Sequence, residues 1–217
     1  MQTTYLAYNR MGHRGLRGAG DPNSVLGPPS RAGLRYLDTT TGLLYFSRNV
    51  LNFNGSSISI PAVTNARKIN LQFWHNMPSP ASTDTFYTHS AIPANRFGLI
   101  RTVTSGNIST RGSASTQLLL DGVVIANDAV NPSAGTWHSI SDTRSIDSQV
   151  NTISFGVPDS WDGRLANVQI LGASEVLLAN YAINEGTGTT IFDSSGNGQN
   201  GSLTLGSGNW QLDWVPL

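Results

Sequence analysis

Hydrophobic and polar residues alternate in short runs along most of this chain. Ile69, Leu71 and Phe73 are separated by Asn70 and Gln72, and Ile153, Phe155, Val157 and then Ala166, Val168, Ile170 repeat the pattern. A period of two puts one set of side chains on each face of a pleated strand, so each run predicts a half-buried β-strand. Leu51 and Phe53 precede Asn54-Gly55, with Ile58 and Ile60 beyond it. Leu118–Leu120 and Val123–Ile125 flank Asp121-Gly122, a dipeptide suited to the two-residue hairpin loop because both residues tolerate positive φ. No long segment carries a helical period. Short strands with regular turns predict an all-β fold, an antiparallel β-sandwich over residues 49–217.

Residues 1–48 have a different texture. Gly12, Gly15, Gly18, Gly20, Gly27 and Gly33 recur between residues 9 and 33, with Pro22, Pro28 and Pro29. Glycine does not fall at every third place, which excludes a collagen triple helix. Such a stretch predicts an extended N-terminal arm that orders against a partner. Arg35 to Phe46 then reads as a small hairpin turning through Asp38–Gly42.

Charge divides along the same line. Charged residues are only 12% of the 217, so the surface is polar but weakly charged, suiting neutral partners and dense assembly. The arm holds Arg10, Arg14, Arg17, Arg31, Arg35 and Arg48 against Asp21 and Asp38. It lacks a nucleic-acid motif, so docking on another protein is the expectation for Arg10, Arg14, Arg17, Arg31 and Arg35. Cysteine is absent, which excludes disulfides and thiolate metal sites. Met1–Arg10 has no apolar core of a secretory signal, and no run reaches the roughly 20 apolar residues of a membrane helix. A chain soluble when made, with no membrane insertion, is expected.

Catalytic chemistry finds little to work with. Retaining glycosidases need two carboxylates about 5 Å apart. The chain has only two glutamates, Glu175 and Glu185, and Asp159 and Asp162 flank Trp161 in an apparent loop. There is no Gly-x-Ser-x-Gly elbow, and His13, His75, His89 and His138 are scattered. The expectation is no enzyme. Trp161, with Asp159 and Asp162 beside it, is the candidate glycan platform, since a pyranose face stacks on an exposed indole. Trp74 and Trp137 sit in strands and read as structural. Asp193, Ser195 and Asn197 place oxygens at alternate positions, as at the start of an EF-hand loop, but Thr204 stands where the bidentate glutamate belongs. The same residues equally form a turn bonded to its own backbone. Calcium is the one cofactor left open.

Several segments together resemble the laminin G-like, concanavalin A-like lectin/glucanase superfamily. They are Phe53-Asn54-Gly55-Ser56-Ser57, Ile69–Trp74, Leu120-Asp121-Gly122, Trp137-His138, Asp162–Ile170 and Tyr181–Gly188 running into Asp193–Gly201. The resemblance implies a jelly-roll sandwich with lectin-like binding, and a calcium site in some members. In that superfamily the Asn-Glu-Gly-Thr-Gly and Asp-Ser-Ser-Gly-Asn-Gly segment usually opens the domain, whereas here it closes it, through either a circular permutation or a recurrence of the segment after the sandwich as a tail strand. Gly27-Pro28-Pro29 followed by Tyr36-Leu37-Asp38-Thr39-Thr40-Thr41-Gly42-Leu43-Leu44-Tyr45 is similar to joints in bacteriophage tail-fibre and other virion proteins. Together these imply a virion protein assembled in the host cytoplasm, anchored by its arm among other virion proteins. Its sandwich would bind a host-surface glycan or decorate the particle. A homo-oligomer suits a fibre, and nucleic acid is not the expected partner. A soluble lectin module of a cellular protein is the alternative, and a glycoside hydrolase the third reading.

Overall fold

The computed structural model describes residues 5–8, 14–30, 32–53, 55–75, 84–87, 98–101, 107–111, 115–154 and 163–217. The fold is all-β and sandwich-like, and its chain divides into two units, Met1–Val50 with Trp210–Leu217, and Leu51–Asn209.

In the smaller unit, β1 (Tyr5–Tyr8) pairs antiparallel with β2 (Arg14–Gly18), and β2 runs parallel to β3 (Arg35–Asp38). β3 turns back into β4 (Leu44–Asn52), which also pairs with the last strand, β16 (Trp210–Pro216). Asp38 builds the β3–β4 turn. Its carboxylate accepts from the backbone N–H of Gly20 and Thr40 and from the Thr41 hydroxyl, while Gly42 takes φ +76°. Tyr36, Tyr45 and Trp214 form the unit's core, with Leu16, Val25 and Leu34 packed around them.

Where it is described, the stretch expected to be an extended arm is folded. A one-turn helix, α1 (Pro22–Val25), interrupts it. Asp21 caps the turn through the Asn23 N–H, and Pro22 supplies a preset φ at the first helical position. Tyr36 at 0% exposure shows that this segment has its own core. The last strand, which the sequence reading gave to the sandwich, belongs to this unit.

The larger unit is built on two long strands, β5 (Ser57–His75) and β11 (Trp137–Ser154), paired along most of their lengths. Buried positions in β5 follow a spacing of two at Ile58 and Ile60, then of three through Val63, Ala66 and Ile69, then of two again through Leu71, Phe73 and His75. Asn65 takes φ +59°, and the β5–β11 ladder shifts register at three places. Extra residues of this kind bend and twist a strand while keeping its apolar side inward. The ends of β5 therefore serve different neighbours. Ser57–Ser59 pair with β15 (Gly201–Thr204), and Lys68–His75 pair with β12 (Gly163–Leu171).

β12 is in turn flanked by the last two residues of β4 and by β13 (Leu177–Tyr181), and β15 carries β14 (Thr190–Ile191). On the other side of β11 lie β9 (Ser115–Leu120) and β10 (Val123–Ile125). Asp121 and Gly122 join these two at φ +51° and +78°, as a type I′ turn requires. A separate three-stranded sheet holds β6 (Asp84–Tyr87), β7 (Gly98–Arg101) and β8 (Ile108–Arg111). Phe53, Ile58, Phe73, Leu165, Val168, Ile170, Tyr181 and Ile191 lie in the buried core. The unit begins and ends side by side, with Asn52 N–H donating to the Asn209 carbonyl at 2.9 Å.

Candidate functional site

A groove of about 310 Å³ opens beside β9 and β10. Thr110 of β8, Ser115, Thr116, Gln117 and Leu118 of β9, Val124 and Ile125 of β10, and Asn127 line it. Among the described residues, none of the side chains that line it is charged. Asn127 is held in one orientation, because its Oδ1 accepts from Thr110 N (2.7 Å), Thr110 Oγ1 (3.2 Å) and Ser109 Oγ (3.4 Å). Its Nδ2 is left as a donor. Thr116 Oγ1 donates to the Thr143 carbonyl and Ser115 Oγ to Asp142 Oδ1, so both hydroxyls keep lone pairs for an incoming donor. Val124, 64% exposed, and Ile125 add an apolar strip. Donors and acceptors around an aliphatic patch suit a small uncharged polyol.

The groove is fixed from behind by a buried ion pair. Arg144 Nε and Nη2 reach Asp142 Oδ2 at 3.1 and 2.9 Å, and both residues are almost fully buried. Because Ser115 bonds the other Asp142 oxygen, the pair sets the rotamer of a groove hydroxyl.

Asp121, His138 and Ser133 come together near the β9–β10 turn. His138 Nδ1 lies 2.7 Å from Asp121 Oδ2, and Nε2 lies 3.0 Å from the Ser133 carbonyl and 3.3 Å from its hydroxyl. Burial works to raise the Asp121 carboxyl, but bonds from His138 and the Ser139 N–H outweigh it and hold it below the ordinary 3.8. Both imidazole nitrogens face acceptors. A general base needs an unprotonated Nε2 aimed at a hydroxyl, and here the closest atom is a carbonyl oxygen. The arrangement ties a turn to a loop. His75 ties the same loop again, its Nε2 lying 3.2 Å from the Pro132 carbonyl and its own carbonyl accepting from the Gly135 N–H.

Of the residues picked from sequence, the calcium candidates fall together in a closed turn. Asp193 Oδ1 accepts from the N–H of Asn180 and Ser195, and Oδ2 from Ser195 Oγ and the Gln199 N–H. Asn197 Nδ2 donates to the carbonyls of Leu177 and Leu178. The Asp193 carboxylate is thus committed to the loop and to β13. Among the described residues no group of three or more His, Asp or Glu side chains is placed to hold a metal ion.

The glycan candidates Trp161, Asp159 and Asp162, and the arm residues Arg10 and Arg31, lie outside the described residues. Arg14 lies in β2, Arg17 is exposed there, and Arg35 stacks over Phe46 at 4.9 Å. Trp74 and Trp137 face each other across the β5–β11 ladder, and the Arg164 guanidinium covers the Trp74 ring at 3.7 Å. That ring face is therefore not offered to a ligand.

No protein-family model, curated protein or solved structure matches this chain. The groove escaped sequence reasoning because its lining comes from three strands and a loop, its polar positions ordinary Ser, Thr, Asn and Gln. Asn127 and Gln117 carry no local motif. No helix among the described residues is long and apolar enough to cross a membrane.

Proposed function

We propose that this chain is a non-enzymatic bacteriophage virion protein whose sandwich unit recognises an uncharged saccharide of the host surface through the β8–β9–β10 groove. The observation that carries this reading is the lining itself, an uncharged rim of hydroxyls and amides beside an aliphatic strip. Saccharides are bound by such pairing of in-plane hydrogen bonds with an apolar ring face, and buried hydrogen bonds supply the specificity. The contacts form directly and need no calcium. The low charge of the whole chain and the virion-joint resemblance of Gly27–Tyr45 support placement in a particle with other virion proteins.

The test is titration of the full chain with neutral and with acidic oligosaccharides, followed by backbone amide shifts. Neutral sugars are expected to perturb Thr116, Gln117, Ile125 and Asn127 in the native chain and to lose affinity in Gln117→Ala. Binding of acidic sugars alone would contradict the reading.

A further inference from the structure

The small sheet buries one face and leaves the other open. Its inner face carries Tyr36, Tyr45 and Trp214. Strand register places Arg17, Leu37 and Leu44 in one row of the outer face, with Arg35 and Phe46 in the next. Leu37 is 39% exposed and Leu44 36%, and Leu43 of the adjoining turn is exposed too.

The unit that carries this face is basic by count. The unit holds six of the 13 basic residues and three of the 13 acidic ones, leaving seven and ten to Leu51–Asn209. All three of its acids are withdrawn. Asp38 and Asp213 are buried, and Asp21 caps α1. Arginine with exposed leucine is the composition of a protein interface, where apolar area supplies affinity and charge supplies orientation.

We propose that this outer face docks the sandwich unit of a second copy of the chain. The occupant follows from charge, because the two units carry excesses of three, opposite in sign. Aliphatic side chains at the centre favour a protein over a nucleic-acid backbone, which would be met by solvated cations alone. A contact between different surfaces of identical chains is heterologous, and so closes into a ring or continues as a filament.

Sedimentation velocity of the full chain over a concentration series, at low and high salt, tests this. Larger species are expected to grow with concentration, weaken at high salt, and fall at least tenfold in association constant in R17E/R35E. Circular dichroism of that variant should match the native chain. Leu37→Ser, which leaves charge untouched, should also weaken assembly. Crosslinks are expected from the outer face to residues 51–209 of the neighbour. A monomer at every concentration would overturn the proposal. So would assembly indifferent to R17E/R35E, crosslinks joining two copies of the same face, or duplex DNA binding by a monomer that R17E/R35E abolishes.

Discussion

Asn23 and Trp214 are joined by two hydrogen bonds across 191 positions of sequence. Asn23 Nδ2 donates to the Trp214 carbonyl at 2.9 Å, and Asn23 Oδ1 accepts from the Trp214 N–H at 3.2 Å. A side-chain amide thus takes the place of a strand partner for β16. The Trp214 indole adds a third tie, from Nε1 to the Gly27 carbonyl at 3.2 Å. These bonds make the small unit from both ends of the chain, with the sandwich unit inserted between them.

Asn23→Leu keeps the branched shape but removes both bonds; the Trp214 carbonyl loses this donor, while the Trp214 N–H keeps its bond to Asp213 Oδ1 at 2.9 Å. A loss of about 1–3 kcal/mol is expected in the small unit. Amide hydrogen exchange should rise at Trp214 and along β16, while β5 and β11 stay protected. Equal loosening of both would show that the units do not unfold separately.

The insertion also sets where the chain can be cut. A fragment of residues 51–209 is expected to fold, since its ends meet and its core is internal. A fragment of residues 49–217 keeps β16 without the partners of Trp214 and Val215, both 1% exposed in the full chain. It is expected to aggregate or to lose β16 to proteases. Equal solubility of the two fragments would contradict the division.

Gly201 and Gly208 allow close approach of backbone. A Cβ on Gly201 would lie 2.6 Å from Ile58 Cγ2, and one on Gly208 would fall on the Asn52 carbonyl oxygen. Gly201→Ala is expected to cost about 1–3 kcal/mol through overpacking, and Gly208→Ala more, because backbone cannot swing aside. Melting temperatures check both.

Acid should unfold the chain through Asp38 and Asp193. Burial acts to raise both carboxyls, but their hydrogen bonds, from Thr41, Thr40 and Gly20 to Asp38 and from Asn180, Ser195 and Gln199 to Asp193, outweigh it and hold both below 3.8. The unfolded chain then binds protons first as pH falls, so their stabilisation is complete above the unfolded value and lost as pH drops through the folded one. Tm is expected to hold down to about pH 5 and to fall below about pH 4. Asp193→Asn should flatten that acid limb, and an unchanged limb would assign it elsewhere.

The sequence showed the strands well and their partners poorly. Alternation located Ile69–Phe73 and Ala166–Ile170, and Asp121-Gly122 named its own turn. The single strand β5 was read as two, because bulges at Pro61–Lys68 break the period that alternation depends on. The single turn of α1 after Asp21 went unseen, because one helical turn shows no periodicity. Parallel pairing of β2 with β3 and the return of β16 are long-range choices that composition does not mark. The groove is less legible still, since three strands and a loop contribute polar and aliphatic residues that any turn or strand edge would carry.

The buried Asp142–Arg144 pair offers a check on groove rigidity. Asp142→Ala takes the carboxylate from a buried ion pair and is expected to destabilise by about 3–5 kcal/mol, whereas Asp142→Leu with Arg144→Met should cost much less. Both should weaken saccharide binding, since both free the Ser115 hydroxyl. Retained binding in the double variant would remove Ser115 from the site.

Amide shifts of the full chain, titrated with a panel of neutral oligosaccharides, test the groove as the binding site. Saturable shifts centred on Thr110, Gln117, Ile125 and Asn127, lost in Gln117→Ala, are the expected result. No saturable shift with any member of the panel, or shifts centred away from the groove, would contradict the claim that this groove is the binding site.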